Sequence, residues 1–314
     1  MPHLVAVSSS FALLCAAAVF ASLADGGSSS RPAPEWPSLD GPYLGQRAPG
    51  RAPEVFAPGL VSLPGTGDYA CTWSRDGREL HFTRTWSDSG GMRQGILTTR
   101  LEKGGWTAPV PASFSHGYAA LEPHVTLDGQ RVYWAWARPP HEAGSRSSAG
   151  FHIFAAERTP RGWSGAKYVG EGMFVSSARN GDVYVTELGE RNTWLAKAVM
   201  RGGRFERLER IALPLESQPP AFRNPAHPCI APDGSYLVFD VESGSHLFVS
   251  FRRRDGSWGP PVDLAEHGFD RNAGIASISP DGRYLFYGRN GDLYWVDAKA
   301  VEALRPPDGG AKKP

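Results

Sequence analysis

Five of the Asp-Gly or Asn-Gly pairs in this chain recur at a nearly constant interval, with their glycines at Gly77, Gly129, Gly181, Gly234 and Gly282, at spacings of 52, 52, 53 and 48 residues. Each pair separates a run of small and apolar residues from a second run rich in β-branched and aromatic side chains. A fixed period of this length means one supersecondary unit copied several times. Asp and Asn tolerate left-handed backbone and Gly adopts positive φ at no steric cost, so each pair reads as a hairpin turn. Repeated hairpins of this kind make blades.

Aligned on the turn, the first strand of each unit begins at Ala70, Glu122, Phe174, His227 and Ile275. Their small neighbours suit a crowded central position. The second strands alternate, as in Tyr236-Leu237-Val238-Phe239 and Tyr284-Leu285-Phe286-Tyr287. A fourth strand opens with Trp106, Trp163, Phe205 or Trp258, and prolines such as Pro109 suit an edge. The fifth unit has no fourth strand of its own, whereas residues 54–61 match that pattern and precede the first unit. Ring closure by this N-terminal segment removes free sheet edges. The expected fold is all-β: a five-bladed β-propeller of four-stranded antiparallel blades closed by an N-terminal strand. A sixth, degenerate blade is the alternative.

The propeller is expected over residues 53–300, with disordered segments at 25–52 and 301–314. The stretch from Leu4 to Leu23 is nearly all apolar or small, and Ser22-Leu23-Ala24 offers a cleavage site, so residues 1–24 read as a signal peptide. An uncleaved anchor is the alternative. Export implies a periplasmic or secreted protein, without a membrane span in the mature chain and monomeric. Cys71 and Cys229 then remain; they fall in the first and fourth units, which are not neighbours, so two buried free thiols are expected rather than a disulfide. A net charge of +1 gives no reason to expect a nucleic-acid partner.

Ser-Pro-Asp-Gly-Arg-Tyr-Leu-Phe-Tyr at 279–287, Ala-Pro-Asp-Gly-Ser-Tyr-Leu-Val-Phe at 231–239 and Gly105-Trp106-Thr107-Ala108-Pro109 resemble the repeat of TolB-type, WD-like β-propellers of exported bacterial proteins. The third unit departs from the pattern, with Asn180 in the turn and Phe205 in place of Trp. The resemblance implies a protein-binding scaffold or the propeller part of a larger enzyme. A shared fold does not by itself transfer a function.

The chain carries no Gly-x-Ser-x-Gly elbow, His-Glu-x-x-His pair, phosphate loop or dinucleotide fingerprint. The leading expectation is therefore a binding protein that needs no cofactor or metal and engages a protein or glycan partner through its loop-bearing channel face. Two long loops, Arg84 to Gly95 and Arg138 to Gly150, stand on that face, the second with His141, Glu142 and Arg146. Tyr69, Glu122, His124, His227, Arg271 and Asn272 lie at or near strand starts around the channel, and Trp86 and Arg93 lie in the first loop; these are the expected ligand contacts. The alternative is a glycan hydrolase or lyase with Asp68 and Glu122 as acid and base. A metal held by Glu122, His124 and His227 is a third reading.

Overall fold

The computed structural model describes residues 37–115, 119–136, 150–241 and 246–307. Its elements are strands, apart from short 3-10 turns and one helical turn at Lys299–Glu302. The strands form five antiparallel sheets in a ring, as the repeat predicts. Blade I runs Gly67–Trp73, Glu79–Asp88 and Gly91–Glu102, with an outer edge split into Gly105–Trp106 and Val110–Pro111. Blade II has Ala120–Val125, Arg131–Trp136 and His152–Thr159, edged by Gly162–Trp163 and Lys167–Glu171. Blade III is Met173–Ser177, Val183–Leu188, Thr193–Arg201 and Arg204–Arg210. Blade IV is Pro225–Ile230, Tyr236–Val241, Leu247–Phe251 and Val262–Asp263. Blade V takes Ala273–Ile278, Tyr284–Arg289 and Asp292–Asp297 from the end of the chain.

The outer strand of blade V is Glu54–Val55, which pairs as Glu54↔Trp295 and Val55↔Tyr294. The Phe56 amide adds a bond of 2.7 Å to the Leu293 carbonyl. The seam is held by aromatic packing: Phe56 is fully buried and meets Trp73, Phe286 and Trp295 edge-on at 5.8, 5.3 and 5.1 Å. Burial of each such ring contributes roughly 1.5–3 kcal/mol.

Two expectations need correction. The stretch from Arg84 to Gly95 is not a loop but the continuation of a hairpin, with cross-strand pairs from Arg84↔Gly95 out to Asp88↔Gly91. Its alternation is polar on both faces (Thr83, Arg84, Thr85), which hid a strand that projects beyond the core. Residues 39–50, read as spacer, lie against blades I and V. Leu44 is buried, Tyr43 packs on Trp73 and Tyr284, and the Gly50 carbonyl accepts the Asp297 amide. At the other end Val301 is buried within the short helix. The second long loop, with His141, Glu142 and Arg146, lies outside the described residues, as does the proposed signal peptide.

One irregularity repeats in every blade. The inner strand breaks register at the same position, where Ala70, Glu122, Phe174, His227 and Ile275 have φ of 48, 57, 52, 52 and 55°. A side-chain-bearing residue in this left-handed region costs about 1–2 kcal/mol. Bonds from the preceding blade offset it. Thr83 Oγ1 accepts the Glu122 amide at 2.8 Å, Thr186 Oγ1 the His227 amide at 2.9 Å, and Asp240 Oδ2 the Ile275 amide at 2.6 Å. The equivalent second-strand positions before Phe174 and Ala70 are Ala135 and Gly288; a Cβ at Gly288 would stand 3.0 Å from Tyr69 Cβ.

A second ring of contacts lies two residues further on. Thr72 Oγ1 accepts the Val125 amide at 3.0 Å, Ser176 Oγ the Ile230 amide at 3.2 Å, and Cys71 Sγ meets Ser277 Oγ at 3.4 Å. Cys71 and Cys229 are both free and buried, in agreement with the sequence reading. Burial pushes the Cys71 thiol up to about 12.

Candidate functional site

The five left-handed residues present their side chains at one level of the channel and close it as a throat. Three are apolar: Ala70, Phe174 and Ile275 cluster with Tyr69. The other two are Glu122 and His227, carried by blades II and IV. Glu122 Oε1 stands 3.5 Å from His227 Nε2, and Asp240 Oδ1 stands 2.8 Å from His227 Nδ1. Glu122, His227 and Asp240 are 2, 5 and 2 % exposed. Burial disfavours a charged imidazole, but Asp240 and then Glu122 reverse this and hold the His227 pKa well above its ordinary value. His227 is therefore held as an imidazolium, with a proton on each ring nitrogen, and Nδ1 donates to Asp240. Neither Glu122 Oε2 nor His227 Nε2 has a hydrogen-bond partner among the described residues. Phe174 packs edge-on against the imidazole at 5.4 Å. The Tyr69 hydroxyl bonds Gln94 Nε2 on the projecting hairpin.

The sequence picked out Tyr69, Glu122 and His227, and the structure brings them to this throat. It missed Asp240 and Gln94. Asp240 had a signal: among the aligned second-strand positions Thr83, Ala135, Thr186, Asp240 and Gly288 it is the one acid. Gln94 had none, because it lies in the stretch read as a loop.

The remaining candidates stand elsewhere. Asp68 is 1 % exposed and receives Arg84 Nε at 2.6 Å and Thr66 Oγ1 at 2.8 Å. Burial pushes its carboxyl up to about 6, with Arg84 opposing. Among the described residues Asp68 and Glu122 share no partner. His124 Nε2 meets Ser177 Oγ at 2.8 Å, and burial lowers its pKa to about 4. Among the described residues no group of three His, Cys, Asp or Glu side chains is placed to hold a metal. Arg271 and Asn272 are exposed on the segment entering blade V, and Asn272 has a φ of 60°. Trp86 and Arg93 face each other across the projecting hairpin, where Arg93 also pairs with Asp88 at 3.1 Å.

Beside that hairpin lies a groove of about 450 Å³ lined by Arg84, Trp86, Gly95, Ile96, Leu97, Pro111 and Ser115. It falls within the size range of ligand pockets, and its walls are mainly apolar. The large hydrophobic side chains most exposed among the described residues, Met92 at 58 % and Val110 at 56 %, are both on this blade. Two strand pairs cover the outer edge of Gly91–Glu102, Leu97↔Pro111 and Thr98↔Val110 in one place and Leu101↔Trp106 and Glu102↔Gly105 in another. The described segments around the channel mouth are mixed in charge, and two of their acids are paired, Asp88 with Arg93 and Asp270 with Arg289. Glu190, Glu216 and Glu266 stand there with Arg191, Arg223 and Arg271, and the turns of the opposite face carry both Arg and Asp, as at Arg75-Asp76 and Asp281-Gly282-Arg283.

No family model matches the chain, and no curated protein matches it. Similar solved structures include a gluconolactonase from Xanthomonas campestris, at 14 % identity over 79 % of this chain and 95 % of that one, with a TM-score of 0.45. A periplasmic gluconolactonase from Pseudomonas aeruginosa is 17 % identical over 69 % of this chain and 64 % of that one, with a TM-score of 0.41. A GH43 enzyme from Xanthomonas citri is 12 % identical over 75 % of this chain and 87 % of that one, with a TM-score of 0.46. These neighbours are β-propeller proteins, and the likeness reaches no further than the fold.

Proposed function

We propose that this chain is an exported binding propeller that takes a protein partner on its loop-bearing face, with apolar side chains of the partner in the groove of blade I. One observation carries the reading: the groove, the projecting hairpin and the exposed Met92 and Val110 all coincide on one blade. Exposed apolar surface of this kind marks interaction sites. A protein suits the groove better than a glycan, since the hydroxyls of a sugar need more polar partners than Arg84 and Ser115 supply. Export rests on the apolar run from Leu4 to Leu23.

Burial supports binding over hydrolysis at Asp68 and Glu122. An acid–base pair must touch the scissile bond, whereas Asp68 is bonded to Arg84 and Thr66 and Glu122 is enclosed in the throat.

Selection from a displayed peptide library on the purified chain tests the proposal. The enriched peptides should carry apolar residues, and Trp86→Ala or Val110→Lys should weaken them at least about tenfold, about 1.4 kcal/mol. Equal binding by the variants refutes this site. Release of product from a polysaccharide that Glu122→Gln abolishes refutes the binding reading altogether.

A further inference from the structure

The throat contains an unused pair of hydrogen-bonding groups that the groove does not involve. Glu122 Oε2 is an acceptor without a donor, and His227 Nε2 is a donor without a well-formed acceptor. They face each other from blades II and IV, with His227 Nε2 3.5 Å from the other oxygen of the same carboxylate. Both residues are more than nine-tenths buried. Buried polar groups are normally satisfied, by protein, by ordered water or by a ligand, and an orphaned pair is a place where a bound molecule fits. Its chemistry is restricted. A cation cannot accept from the imidazolium, and an anion meets the carboxylates of Glu122 and Asp240. A hydroxyl oxygen, of water or of an alcohol, does both tasks, because it donates an O–H and accepts through a lone pair. Around the pair stand the rings of Phe174 and Tyr69, with Ile275 and Ala70, surfaces that suit the C–H faces of a small polyol.

We propose that the throat is a binding site for a small, uncharged polyhydroxyl compound, one hydroxyl of which donates to Glu122 Oε2 and accepts from His227 Nε2. Asp240 fixes the imidazole ring for this contact through Nδ1 and is tied in turn to the Ile275 amide, so it is a positioning residue. The surrounding side chains are each less than a tenth exposed, so entry requires a ring such as Phe174 to swing aside and association is slower than typical docking. The inference is independent of the partner groove.

The test is a calorimetric and thermal-shift titration of the full chain with stereoisomeric hexoses and inositols. A saturable response is expected, with affinities that differ at least about tenfold between stereoisomers, about 1.4 kcal/mol. Glu122→Gln should abolish it and Trp86→Ala should leave it intact. A rise in Tm that is linear, unsaturable and equal for all isomers is the response of an excluded osmolyte and overturns the proposal. Loss of binding in Trp86→Ala but not in Glu122→Gln overturns it too, by placing the sugar in the groove. The stereoisomer comparison on the native sequence decides the matter even if Glu122→Gln fails to fold.

Discussion

Glu122 and His227 meet across the channel at 3.5 Å although they belong to blades II and IV, which share no edge. With Asp240 on the far side of the imidazole, they tie opposite parts of the ring together through a buried charge.

Removal of that charge should be costly. His227→Ala leaves two buried carboxylates without a cation, and breaking a buried pair in this way costs about 3–5 kcal/mol. The sign of the pH effect follows from the raised folded pKa of His227. Its contribution is complete below the unfolded value of about 6.5 and declines as pH rises towards the folded value. Urea denaturation between pH 6 and 9 should show this decline in the native sequence and not in His227→Ala.

Asp68 acts in a different window. Its carboxyl is raised from 3.8 to about 6 by burial, so the folded chain binds a proton that the unfolded chain releases. Stability should fall as pH rises from about 4 to about 6, by on the order of 2–3 kcal/mol for this group. Glu79 runs the other way: burial opposes its ionisation, but His81, Arg100 and Arg158 hold its pKa well below the usual range, so its contribution disappears as pH falls below 4.5. The difference between the pH profiles of the native chain and Asp68→Asn isolates the first effect, and identical slopes from pH 4 to 6 would contradict it.

The caps on the left-handed residues can be tested in parallel. Thr83→Val and Thr186→Val keep the shape but remove the acceptors of the Glu122 and His227 amides. Each leaves a buried N–H unsatisfied and should cost about 1–3 kcal/mol. Equilibrium unfolding of the two variants should give similar losses, since the two bonds occupy equivalent positions in blades I and III.

The seam between the two chain ends should be the most sensitive apolar site. Phe56 is fully buried among Trp73, Phe286 and Trp295. Phe56→Ala should cost about 3–5 kcal/mol, read as a lower midpoint in denaturant. A loss below about 1 kcal/mol, far under that range, would mean that closure depends on the strand pairing alone.

The architecture was legible because its signals are local. Asp-Gly turns at Gly77 and Gly282, alternation in Tyr284-Leu285-Phe286-Tyr287 and the orphan edge pattern at residues 54–61 can each be read within ten residues. The site was half legible. Glu122 and His227 stood out because they interrupt a column otherwise filled by Ala, Phe and Ile. Their link to Asp240 was not visible, since it depends on how the second strand of one blade faces the first strand of the next. The hairpin at Arg84 to Gly95 was missed for another reason: a strand that leaves the core loses the apolar alternation by which strands are recognised.

The pairing of Glu54 with Trp295 also sets an order of events. A ribosome delivers residue 54 long before residue 295, so the first edge segment must wait, unpaired, while some 240 residues are made. Until the last sheet emerges, no intermediate of this chain can have a finished circumference, and a chaperone that shields that early segment would serve it throughout synthesis.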